Sequence, residues 1–255
     1  VKSGVYILDL ISDFLGIDFK RLRNKIKIHV FHAGSLYRSA PKYFNQDIHR
    51  MFKKKIYAPD LYRLSKKNKD DYILIAPTSN KFYPNANLSK KLDKMISFLI
   101  KKKLKLIFRP HPLDLTSKGE IKLTNSVIEK FKKYDNFEFD LSTSYMDSYE
   151  KSNMLITDFS GTAYTYAFSK EKPVIFYSTL NKLSFEKKLK KLYYFKDRKN
   201  IGYIVNNNND LYKKIKKIIK NKTILKKKIK DLRKKRIRYF NNSLTMTKNT
   251  IKKIL

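Results

Sequence analysis

The chain has 255 residues, 42% of them hydrophobic and 14% aromatic, enough to bury a core and too apolar for a disordered polyelectrolyte. It has no cysteine, which excludes disulfides and thiolate metal sites, and no apolar run near the roughly 18 residues of a membrane-spanning helix. Its formal net charge is +37, from 59 basic and 22 acidic residues.

Only ten of the basic residues are arginine, and the lysine excess is spread along the chain. Two origins fit: tolerant surface positions filled by a Lys-, Asn- and Ile-rich composition, or an anionic partner such as a phosphorylated substrate or an anionic membrane. A nucleic-acid binder more often carries Arg-rich stripes with interleaved aromatics, so nucleic acid is not the expected partner. The sequence shows no signal-peptide pattern, and it begins with Val rather than Met, so further chain upstream is expected.

In chain order, residues 25–31 (KIKIHVF) predict a strand that ends at His32-Ala33-Gly34-Ser35. Residues 41–68 are basic and irregular, broken by Pro41 and Pro59. Tyr72 to Ala76 predicts a strand ending on Pro77-Thr78-Ser79. Leu88, Leu92, Met95, Ile96 and Leu99 recur at helical spacing and predict a helix over 88–102. A strand over 104–108 runs into Arg109-Pro110-His111-Pro112. A helix over 121–134, a strand over 136–139 and a short helix over 145–152 follow. Then come a strand over 154–156, a helix over 160–169 and a strand over 174–177. Residues 178–200 are Lys-rich with scattered aromatics, and 201–205 predicts a last strand. From Leu211 to Tyr239 one long helical pattern carries Leu211, Ile215, Ile218, Leu225, Ile229 and Leu232 on one side.

This alternation predicts an α/β fold with a parallel sheet, in which ligands bind beyond the C-terminal strand ends. Thr78, Arg109, His111, Asp158 and Ser160 all follow a strand. In Arg109-Pro110-His111-Pro112 two prolines fix the backbone around a guanidinium fork and an imidazole, both able to grip phosphate. In Asp158-Phe159-Ser160-Gly161-Thr162 a strand hands over to a helix. Asp158 or Ser160 could simply cap that helix, or its free N–H groups could hold an anion, with Gly161 admitting the ligand close to the backbone. His32 is a candidate general base, or an ordinary loop histidine. The basic face of 211–239 is either solvated or apposed to an anionic membrane.

APTSN, FRPHPLD and SYEKSNMLITDFSGTAYTYAFSKEKPVIFYS, with the earlier HVFHAGSLYRSAPKYFN, resemble the CDP-glycerol:poly(glycerophosphate) glycerophosphotransferase family, well over 72–178 and less over 27–48. The resemblance implies a GT-B-like architecture: a partial acceptor-side domain over 1–68, a Rossmann-like donor-binding domain over 69–210, and basic C-terminal helices over 211–255. It implies transfer of glycerol phosphate from CDP-glycerol to a lipid-linked polyol-phosphate or polysaccharide acceptor, with release of CMP, at the cytoplasmic face of the membrane. It also implies that His32 deprotonates the acceptor hydroxyl and that Pro77 and Thr78 line the donor pocket. Arg109, Pro110 and His111 would meet the donor phosphates, and Ser160 and Gly161 would hold a phosphate at the helix start. No cofactor or metal is expected. Thr165 stands where the family often has an acidic residue. Two other readings stay open: a GT-B glycosyltransferase using a nucleotide sugar, and a non-catalytic basic protein that binds nucleic acid or anionic membrane.

Overall fold

A computed structural model describes residues 71–81, 87–116, 118–178 and 193–237, together with positions 242, 245 and 249. The predicted strand over 25–31 and His32 lie outside the described residues.

Six strands form one parallel sheet: β1 (Tyr72–Ile75), β2 (Leu106–Phe108), β3 (Phe137–Phe139), β4 (Ser152–Thr157), β5 (Val174–Tyr177) and β6 (Gly202–Val205). Their order is β3-β2-β1-β4-β5-β6, so the chain builds outward from β1 in one direction, returns, and builds outward from β4 in the other. This is the doubly wound order of dinucleotide-binding folds, with its reversal between β1 and β4. Helices α1 (Ser89–Lys101), α2 (Lys118–Phe131) and α7 (Asn208–Lys220) cover one face. Helices α3 (Met146–Lys151), α4 (Thr162–Lys170) and α8 (Lys226–Arg236) cover the other. The short helices α5 (Tyr193–Lys196) and α6 (Arg198–Ile201) lead into β6 on that second face.

The strand period of two divides the core. Ile73, Ile75, Met154, Ile156 and Ile175 face α1, α2 and α7, while Leu74, Leu155, Val174 and Phe176 face α4 and α8. Strands buried on both faces read as unbroken apolar runs, which is why YILI and VIFY carry no alternation; the edge strands β3 and β6 are not buried on both faces and carry exposed positions at Phe139 and Ile204. Gly202 is required where β6 meets β5, since a Cβ there would stand 1.8 Å from the Val174 carbonyl oxygen.

The single helix expected over 211–239 is two helices. Leu211, Ile215 and Ile218 pack on one face of the sheet, whereas Leu225, Ile229 and Leu232 pack on the other. No straight helix can serve both faces, so the chain turns between α7 and α8. The Asn221 carboxamide oxygen accepts from the Thr223 N–H (3.1 Å) and hydroxyl (3.0 Å), an alternative to continued helix. Beyond the turn, the Arg233 guanidinium donates to Glu171 (2.8 Å) at the left-handed C-cap of α4 (φ 56°), fixing α8.

Candidate active site

The loops after β2, β1 and β4 are neighbours because their strands are, and two buried carboxylates bind them into one wall. Asp158, which follows β4, accepts from the Thr78 N–H (2.8 Å) and its own neighbour Phe159 N–H (2.6 Å) through Oδ1, and from Leu88 N–H (2.7 Å) through Oδ2. It thereby ties β4 to the β1 loop and to the start of α1. Asp114 repeats the device one strand over, accepting from the Ser79 hydroxyl (2.6 Å) and the Asn80 N–H (3.1 Å). The Thr157 hydroxyl donates to the Ala76 carbonyl (2.7 Å) and completes the brace. Pro77 is buried in the same loop, and Thr78 Oγ1 is buried there with no hydrogen-bond partner.

At the end of β4 the helix N-terminus is not capped by Asp158, whose oxygens are turned to the β1 loop. Gly161 occupies the cap position with helical angles (φ −61°, ψ −24°), and α4 starts at Thr162. Ser160 Oγ accepts from the Thr162 N–H at 3.3 Å, while the Ser160 and Gly161 carbonyls accept from the Ala163 and Tyr164 N–H groups. The N–H groups of Ser160 and Gly161 themselves have no partner among the described residues. One turn further on, Thr165 is buried with its Oγ1 unpartnered.

The Arg109-Pro110-His111-Pro112 segment is placed at the end of β2, but its two polar side chains have protein partners. The Arg109 guanidinium donates to Asp140 (2.5 Å) and to the Ser142 carbonyl (2.8 Å), both beyond β3, the strand on the far side of β2 from β1. Asp140 is held below its usual carboxylate pKa: burial would raise it, and hydrogen bonds from Ser142, Ser148 and Arg109 outweigh that. His111 Nδ1 accepts from the Leu113 N–H (3.2 Å) and caps the short 3₁₀ turn Pro112–Leu115, so its neutral ring carries the proton on Nε2. Pro110 is buried behind it.

Two residues not singled out in the sequence stand directly behind the β4 loop. Tyr194 OH reaches the carbonyls of Asp158 (3.3 Å) and Ser160 (3.4 Å), and Arg198 Nη2 donates to the Asp158 carbonyl (3.1 Å). The Arg198 guanidinium carbon lies 4.5 Å from the ring centres of Phe176 and Phe195, 4.6 Å from Tyr194 and 5.2 Å from Phe159. The aromatic pair Tyr194-Phe195 shortly before an arginine was the available signal.

Among the described residues no group of three or more His, Asp or Glu could hold a metal ion, and no helix is long and apolar enough to cross a membrane. An apolar cavity of about 450 Å³ lined by Tyr203, Ile224 and Leu225 and rimmed by lysines lies where the chain rounds the β6 edge, away from the converging loops.

Residues 44–245 match the model of the CDP-Glycerol:Poly(glycerophosphate) glycerophosphotransferase family. The chain is 35% identical over 132 residues, 51% of its length, to the minor teichoic acid biosynthesis protein GgaB of Bacillus subtilis (strain 168), of which the match covers 13%. It is similar to the wall teichoic acid polymerase TagF with a CDPG soak (19% identity, TM-score 0.48, 76% of this chain and 46% of that one). It is also similar to MurG of Acinetobacter baumannii (12% identity, TM-score 0.48, 84% of this chain and 58% of that one). The chain thus spans less than half the length of these two teichoic acid proteins.

Proposed function

The chain belongs to the CDP-glycerol:poly(glycerophosphate) glycerophosphotransferase family, and from that premise we propose that its sheet is the donor-binding part of an enzyme moving glycerol phosphate from CDP-glycerol to a teichoic-acid-type polymer. The observation that carries the proposal is the reversal of strand order between β1 and β4, the place where folds of this order bind ligands in a crevice. There the start of α4, whose Ser160 and Gly161 N–H groups have no partner among the described residues, and the β1 loop that carries the buried Thr78 hydroxyl are tied together by Asp158. Helix starts at such a reversal bind phosphate through their N–H groups and dipole.

In the proposed reaction the acceptor hydroxyl oxygen attacks the phosphorus that carries glycerol. The new P–O bond forms as the bridging P–O bond to the cytidylyl phosphate breaks, and CMP leaves with that electron pair. The hydroxyl proton passes to a base, for which His32 is the candidate. Catalysis of this kind rests on positioning and on neutralising the charge that builds on the leaving phosphate. The α4 N-terminus supplies that neutralisation. Thr78 and Pro77 form the wall of the donor pocket. His111, which caps the 3₁₀ turn after β2, would meet the donor phosphates from the β2 loop. Arg109, engaged by Asp140, holds the β2 and β3 loops in place. Thr162 lies at the rim of the same helix start, and the lysine-rich α7 and α8 would draw the enzyme to an anionic acceptor or membrane surface at the inner face of the cell membrane.

Calorimetric titration at moderate salt with CDP-glycerol, CMP, a UDP-sugar and a short single-stranded DNA tests this reading. Selective binding of CDP-glycerol is the expected result. Preference for the UDP-sugar would turn the assignment to a glycosyltransferase, and salt-sensitive DNA binding alone would turn it to a non-catalytic basic protein.

A further inference from the structure

A peptide plane has its C=O and N–H on opposite sides, so whatever holds a carbonyl also aims the following N–H. The Ser160 carbonyl is held by the Ala163 N–H (3.2 Å) and the Tyr194 hydroxyl (3.4 Å), which turns the Gly161 N–H away from Tyr194. The Asp158 carbonyl shares the one Tyr194 hydroxyl proton with the Ser160 carbonyl (3.3 Å) and also accepts from Arg198 Nη2 (3.1 Å), which sends the Phe159 N–H to the Asp158 carboxylate. Tyr194 is itself fixed, buried against Tyr164, Phe176 and Phe195, with its carbonyl accepting from the Tyr164 hydroxyl.

Arg198 brings more than a hydrogen bond. It is 3% exposed, its Nε has no partner, and no carboxylate lies within ion-pair distance of it among the described residues. Asp158 offers it the backbone carbonyl, not the carboxylate, and Asp197 beside it is taken by Arg236 (2.8 Å). Four aromatic faces compensate part of the cost of burying this cation. Burying a charge without a counter-charge is costly, and a bound anion would offset that cost.

We propose that Tyr194 and Arg198 are positioning residues of the anion site. They pin the Asp158 and Ser160 carbonyls at the back of the loop, aim the Gly161 N–H into the crevice, and set one positive charge behind it to meet a diphosphate. This rests on the crevice being the donor-phosphate site. The same role explains why the cage is built from aromatic rings, which shield the guanidinium from water without neutralising it.

The test follows the backbone N–H resonances of Ser160 and Gly161 in the full chain during titration with inorganic pyrophosphate at fixed ionic strength. Wild type, Tyr194→Phe, Arg198→Lys and Arg198→Met are compared. The expected result is a saturable shift of the Gly161 resonance in wild type, about tenfold weaker binding in Tyr194→Phe and in Arg198→Met, and a smaller loss in Arg198→Lys, which keeps the charge. Tyr194→Phe retains the ring packing, so it reports the hydroxyl even if Arg198→Met does not fold. Equal pyrophosphate affinity in wild type and Tyr194→Phe, or no Gly161 response in wild type, would overturn the proposal. CDP-glycerol binding no tighter than pyrophosphate, with the variant effects intact, would overturn the donor assignment and support the pinned loop.

Discussion

Two arginines stand near the strand ends, on opposite sides of the β1/β4 reversal, and they differ in what they have left to offer. Arg109, after β2, gives its guanidinium to Asp140 and Ser142 and is electrically matched where it stands. Arg198, ahead of β6, is buried more deeply and meets a carbonyl and four rings. A matched arginine holds two loops together; an unmatched one keeps its field for a ligand. On the proposed reading, this contrast makes the β1–β4 side of the wall the anion-binding side and the β2–β3 side its buttress.

The largest expected effect comes from removing the brace shared by both halves. Asp158→Ala leaves the buried Thr78 and Leu88 N–H groups and the half-buried Phe159 N–H without their acceptor. Loss of about 3–5 kcal/mol in urea unfolding is expected. A loss under about 1 kcal/mol would show that water or backbone rearrangement replaces it. Next comes the buttress. Arg109→Met leaves Asp140 largely buried with only serine donors, and a loss of about 1–3 kcal/mol is expected after allowance for its partial exposure. Pyrophosphate affinity should change less than about threefold, because the guanidinium is turned toward β3; a loss of about tenfold would move Arg109 to the anion-binding side and collapse the contrast.

The smallest effect is on pH dependence. Asp140 and Glu171 are both held below their ordinary carboxylate pKa values, since their hydrogen-bonding and cationic partners outweigh burial. The unfolded chain therefore binds more protons than the folded one in the range between the folded and the ordinary values. The stability these groups contribute is complete above about pH 5 and is lost as pH falls through the folded values. Asp140→Asn and Glu171→Gln should each flatten the fall in unfolding free energy between about pH 5 and pH 3. An unchanged slope in Asp140→Asn would mean that its carboxylate is not the matched partner of Arg109.

Most of the element order was legible from the sequence, because buried parallel strands and amphipathic helices leave strong, different patterns; YILI, VIFY and the 88–99 spacing each gave an element of the right type. The break between α7 and α8 was not, because helical spacing cannot say which face of a sheet an apolar stripe will meet; Ile218 and Leu225 lie on one continuous pattern and pack on opposite faces. Strand-end positions of Thr78, His111, Ser160 and Gly161 could be read from chain order alone. The engagement of Arg109 by Asp140 could not, since it depends on β3 lying beside β2. Arg198 could not be read from the sequence, because its significance is a carbonyl and four rings in place of a carboxylate among the described residues, which only packing reveals.

The central claim is that the α4 N-terminus holds the donor diphosphate, and Gly161→Leu tests it most directly. Gly161 has ordinary helical angles, so a side chain there does not strain the backbone dihedrals; the residue is buried, so the larger side chain also displaces its neighbours at the helix start. We expect the affinity for CDP-glycerol to fall at least about tenfold, roughly 1.4 kcal/mol, in protein that is folded at the temperature of the titration. Unchanged CDP-glycerol affinity in a folded Gly161→Leu protein would place the donor elsewhere and contradict the account.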